Sequence, residues 1–75
     1  MGIDPSAPEY VYKQLAAIFR AQIKSGELPP RAKLPTLEEL KDTYGVAPMT
    51  ARRAMALLVE EGLAVTYPGR GTFVA

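Results

Sequence analysis

The chain has no cysteine, no histidine and no tryptophan. Without cysteine there is neither a disulfide framework nor a thiolate metal site. Without histidine the commonest general base and the commonest zinc ligand are both missing. These absences argue against an enzyme and against a zinc finger. Acid–base chemistry would fall to carboxylates such as Glu60 and Glu61, which read better as the solvated end of a helix. No catalytic residue, metal or cofactor is expected. No run approaches the roughly 18 apolar residues needed to cross a bilayer. The opening MGIDPSAPEY lacks the basic start and apolar centre of a secretory signal. Met1-Gly2 followed by Ser6 fits the N-myristoylation pattern. So short a pattern weighs little against a frayed leader or a cloning remnant.

What is present suits one small soluble domain: 75 residues, 48% hydrophobic and 23% charged, with a net charge of +1. The charge is unevenly placed. Pro48 to Val59 carries two arginines and no acid, and Gly62 to Ala75 carries one arginine and no acid. The acids gather at Glu38, Glu39 and Asp42 and again at Glu60 and Glu61. A nearly neutral chain with locally basic surfaces can still hold a polyanion by one face.

Residues 1–8 are expected to form a flexible leader and 9–75 the folded domain. A first helix is expected from Glu9 or Tyr10, because Tyr12, Leu15, Phe19 and Ile23 recur at steps of three and four, widened by Ile18. Lys13, Arg20 and Lys24 face the other way, and Gly26 supplies a left-handed stop. GELPPRAKLP holds three prolines and cannot be helical; it reads as a connector with a short strand near Lys33 and Leu34. Thr36 and Glu39 have the spacing of a capping box, opening a helix with Leu37, Leu40 and Tyr44 inward and Gly45 at its end. After the short link GVA, Pro48 suits the first position of a third helix. At 100° per residue Ala51, Ala54, Met55 and Leu58 share its inner side, with Met49, Arg52, Arg53, Ala56 and Glu60 broadly opposite. Past Gly62, Leu63, Val65 and Tyr67 alternate, Pro68-Gly69 suits a type II turn, and Thr72, Phe73 and Val74 return as a second strand. The fold class is therefore α+β, mainly α: a winged helix-turn-helix of three helices followed by a β-hairpin wing.

Four stretches, YKQLAAIFRAQIKSGELPP, LPTLEEL, YGVAPMTARRAM and EEGLAVTYPGRGTFV, stand in order over roughly residues 10 to 74. Together they resemble the N-terminal DNA-binding domain of the GntR family of bacterial transcription factors. The resemblance implies a helix from Pro48 in the major groove and a wing tip at Gly69 and Arg70 reaching the adjacent minor groove or backbone. It implies double-stranded DNA with a palindromic operator as partner, a homodimer in the full-length protein, repression as the commoner habit, and a cytoplasmic location. A small-molecule effector would act through a C-terminal domain that these 75 residues do not include, so the chain is expected to be part of a longer regulator or one cut down to its reader.

The residues themselves suit that chemistry. Thr50 offers a hydroxyl to phosphate and a methyl to thymine. Arg52 can fork onto guanine O6 and N7, and Arg53, about 100° further round, suits a phosphate. Met49 offers a flexible apolar surface to base edges or sugar. By similarity Thr50 and Arg52 match family positions that contact DNA. Thr36 is either an N-cap alone or a cap whose N–H or hydroxyl also holds a phosphate; the two are compatible. Arg70 is either a soluble turn residue or a basic tip for nucleic acid, and Gly69 is needed for the turn in both cases. Arg31 and Lys33 add at most diffuse attraction. Where the family usually has Ser or Thr and then Arg, this chain has Ala47 and Pro48, and Leu37-Glu38 replaces an acidic-basic pair. Two expected basic contacts are thus missing, which throws recognition onto Arg52, Arg53 and Arg70. Leu57 and Val59 lie off the inner side, either as wider core contact or as a docking surface. The alternative function is a winged-helix protein-interaction module, since fold does not fix function.

Overall fold

The computed structural model describes residues 11–75. The leader, the start of the first helix at Glu9 or Tyr10 and the Met1-Gly2 pattern lie outside the described residues. The order is α1 (Val11–Ser25), α2 (Leu37–Tyr44), α3 (Pro48–Glu60), β1 (Ala64–Tyr67) and β2 (Gly71–Val74). The fold is a winged helix-turn-helix, three helices followed by an antiparallel hairpin.

Each helix forms where its apolar period and its caps agree. In α1 Leu15, Ala16 and Phe19 are buried, and Gly26 follows with φ 88°. In α2 both halves of the capping box are made: the Glu39 N–H donates to Thr36 Oγ1 at 3.1 Å and the Thr36 N–H donates to Glu39 Oε1 at 2.9 Å. Gly45 closes α2 with φ 68°, its N–H donating to the Lys41 carbonyl. In α3 the four residues read as inward, Ala51, Ala54, Met55 and Leu58, are the four buried ones. Leu15, Leu34, Leu40 and Leu58 form the fully enclosed centre, and Phe19 meets Tyr44 edge-on with ring centroids 6.1 Å apart. Leu57 is half-buried against this core, so wider packing accounts for it, whereas Val59 is exposed.

The hairpin pairs Ala64 with Val74, Val65 with Phe73, Thr66 with Thr72 and Tyr67 with Gly71. Val65 and Tyr67 mark its outer side, while Leu63, just before β1, is half-buried against the core. Ala64 and Val74 are the buried strand residues, and Val65 and Tyr67 are exposed. The connector lies along the far edge of β2. Leu34 N–H donates to the Thr72 carbonyl, Val74 N–H to Ala32 and Arg31 N–H to Val74, at 2.8–3.0 Å. The short strand expected near Lys33 is this segment, bridged to Phe73.

One pair departs from the sequence reading. Glu61 is not simply solvated: Arg20 Nε and Nη2 donate to its two carboxylate oxygens at 2.8 and 2.7 Å, tying α1 to the end of α3. The Arg20 hydrogen bond holds the Glu61 carboxyl below the usual glutamate range, and the Thr36 N–H does the same for Glu39. A carboxylate whose pKa is lowered on folding contributes stability above its unfolded value and loses it as pH falls through the folded one. Thermal unfolding is therefore expected at lower temperature as pH drops below about 4.5. A Glu39→Gln, Glu61→Gln double variant is expected to show a shallower fall over the same range, and an equal fall would exclude both groups as its source.

Candidate nucleic-acid interface

The second and third helices and the wing converge on one side of the domain. Ala47 precedes α3 in extended conformation, φ −66° and ψ 151°, with no side-chain cap, and Pro48 takes a first-turn position. Pro48 gives up no hydrogen bond there, because the first helical N–H groups have no partner within the helix. The inward Ala51, Ala54, Met55 and Leu58 fix the rotation of α3, which leaves Arg52 and Arg53 exposed. Met49 is 60% exposed, the most open large hydrophobic side chain among the described residues, and Thr50 is half-buried beside it.

A shallow groove of about 370 Å³ runs between the start of α2, the outer side of α3 and the inner side of the hairpin. Thr36, Leu37, Arg52, Ala56, Thr66 and Thr72 line it. Two residues read from distant parts of the sequence, Thr36 and Arg52, thus share one surface. Met49 and Arg53 lie outside this groove on the open face of α3. Gly69 and Arg70 stand at the wing tip, both exposed; Gly69 has φ 76° and the Arg70 N–H donates back to the Tyr67 carbonyl at 2.9 Å, closing the Pro68-Gly69 turn.

The geometry narrows the role open to Thr36. Its N–H is already given to Glu39, and its oxygen already accepts from the Glu39 N–H. The hydroxyl proton is the donor that remains for a ligand. Thr66 and Thr72, not singled out in the sequence, add two hydroxyls to the same groove, 3.3 Å apart across the strands. The signal for them was the strand alternation, since residues two away from the buried Ala64 and Val74 share their side. Glu38 is exposed in the first turn of α2, so an acid does stand near this surface. Among the described residues no cluster of potential ligands suits a metal ion, and no helix is long and apolar enough to cross a membrane.

Residues 11–74 match the model of the bacterial regulatory proteins of the gntR family. The chain belongs to the GntR family. It is 41% identical over its whole length to the transcriptional repressor NagR of Bacillus subtilis, covering 31% of that protein. It is 38% identical over 91% of its length to the histidine utilization repressor of Pseudomonas aeruginosa, covering 27% of it. The GntR-family chain described here thus spans about a third or less of the length of these curated relatives. Among solved structures it resembles the DNA-binding domain of AraR in complex with operator ORR3, with a TM-score of 0.81, 39% identity and coverage of 85% of this chain and 77% of the other. It also resembles the GntR-family transcription factor YtrA of Sulfolobus acidocaldarius, with a TM-score of 0.79, 39% identity and coverage of 85% and 67%.

Proposed function

We propose that this chain is the sequence-specific DNA-reading domain of a GntR-type transcriptional repressor. The observation that carries the reading is the arrangement of α3. Its inner residues are buried without exception, while Met49, Arg52 and Arg53 stand exposed beside a hairpin tipped by Gly69 and Arg70. A rod held this way can enter the major groove, which admits one α-helix. Arg52 then forks onto guanine, Thr50 and Arg53 take phosphates, and Met49 lies against base edges or sugar. Thr36 adds its hydroxyl from the start of α2. The wing tip at Gly69 and Arg70 reaches the adjacent minor groove or backbone. The similar DNA-binding domain of AraR, in complex with an operator, supports a DNA-binding role for this fold.

One monomer of this size offers few phosphate contacts and binds weakly, so tight specific binding takes two copies on the halves of a palindromic operator about one helical turn apart. In this reading a homodimer forms through a further domain, which also receives the small-molecule effector, and the protein works in the cytoplasm. Neither catalysis nor a cofactor enters. A second reading, a module that binds protein, is favoured by the outer face of the hairpin, where Val65 and Tyr67 are exposed.

Salt separates the two. Binding to a duplex selected from a random DNA pool is expected to weaken steeply between 50 and 200 mM salt, with a log–log slope of about −3 per subunit for three or four phosphates neutralised. Binding that is insensitive to salt, or absent for every duplex, would overturn the DNA reading.

A further inference from the structure

Arg31 is the single described non-glycine residue with positive φ, at 73°. It occupies the third position of a tight turn in which the Ala32 N–H donates to the Pro29 carbonyl at 3.0 Å. That position of a type II turn requires φ above zero, and glycine or asparagine is its usual occupant. The backbone there is fixed for a reason, because the Arg31 N–H donates to the Val74 carbonyl and starts the connector along β2. Nothing in that backbone role asks for a long cationic side chain, and a side chain with a Cβ is strained there. The side chain is exposed and makes no ion pair with a described carboxylate.

Its surroundings suggest what the side chain does. Arg31 and Arg70, 39 positions apart, line one groove of about 600 Å³ on the outer side of the hairpin. Val65, Tyr67 and Phe73 line the same groove, the two rings edge-on at 5.7 Å. A groove that combines apolar and aromatic surface with two arginines suits one strand of a nucleic-acid backbone, sugar against the rings and phosphates against the cations. The groove also continues from the wing tip, which the proposed function already sets against DNA.

We propose that Arg31 is a second phosphate-binding arm beside the wing, its cationic side chain carried on a strained backbone. It extends the footprint past Arg70 along the sugar–phosphate strand outside the reading groove. The proposal rests on the DNA-reading function above.

The test uses a duplex selected from a random pool by this chain, re-synthesised with a neutral methylphosphonate at one backbone position at a time. The proteins compared are the unchanged chain, Arg31→Asn and Arg31→Gly; both replacements accept positive φ, and thermal unfolding checks that each is folded. At 0.1 M salt each variant is expected to bind roughly three- to ten-fold more weakly, with a salt slope shallower by about one. One methylphosphonate position outside the reading groove is expected to weaken the unchanged chain by a similar factor and leave both variants unaffected. If the folded variants bind as tightly as the unchanged chain, or lose affinity with every methylphosphonate effect intact, Arg31 holds no phosphate and the proposal falls while the DNA reading stands. If the unchanged chain binds no duplex, both fall.

Discussion

Arg52→Ala is expected to reduce discrimination between the preferred duplex and its single-base variants by about 1–3 kcal/mol, roughly 5- to 150-fold at one position in each half-site. Two structural features make this residue matter more than its neighbours. It is exposed on α3, and it lines the groove that Thr36, Thr66 and Thr72 share, where the reading helix and the wing meet. Arg53 is exposed but outside that groove, so Arg53→Ala is expected to weaken all duplexes alike, as loss of a phosphate contact does. The comparison also bears on Pro48 and Glu38. With no cation at either position, the chain has fewer arginines with which to replace Arg52. Competition binding against a panel of single-base variants checks the point, and a uniform loss across the panel would move Arg52 from base reading to backbone clamping.

Leu58→Ala is expected to destabilise the domain by about 2–5 kcal/mol, from lost burial plus the cavity left behind. Leu58 is completely enclosed, and its carbonyl also accepts from the Leu63 N–H at the start of the hairpin. A domain of this size holds only about 0.05–0.15 kcal/mol of net stability per residue. The loss is thus a large fraction of the whole, and the unfolding midpoint is expected to fall by at least about 10 °C. The same residue links stability to function, because it sets the rotation that turns Arg52 and Arg53 outward. Calorimetry tests the first effect. DNA binding measured below the lowered midpoint separates loss of fold from loss of contact, since Leu58 itself touches no ligand.

Much of this was legible in the chain itself. The inward set of α3 follows from the helical period alone, and the structure buries those four residues and no others in that helix. The Thr36–Glu39 box needed only a three-residue spacing, and both of its hydrogen bonds are made. The hairpin was harder. A four-residue strand with apolar residues at both parities does not say which side packs, and the tight space over α3 took the small Ala64 rather than Val65 or Tyr67. Contacts between distant residues were beyond pattern reading. Arg20 and Glu61 are 41 positions apart, and each reads singly as a solvated charge. The strain at Arg31 was hidden for a different reason: a positive φ is a property of the folded turn, and the sequence places an ordinary arginine there.

The site followed the same division. Exposure of Met49, Arg52 and Arg53 comes from the helical period. The meeting of Thr36 with Arg52, and of Arg31 with Arg70, comes from chain reversal and hairpin pairing, which a linear pattern does not encode. Thr66 and Thr72 fall between these cases, since alternation places them once the buried strand face is known.

The central claim is that the open face of α3, with the start of α2 and the wing, lies against DNA. The most direct measurement is a nuclear magnetic resonance titration of the labelled chain with its selected duplex. The expected result is perturbation concentrated at Thr36, Met49, Thr50, Arg52, Arg53, Gly69 and Arg70, with the Arg20–Glu61 side unmoved. Shifts centred on α1 and Glu61, with those residues silent, would contradict the account.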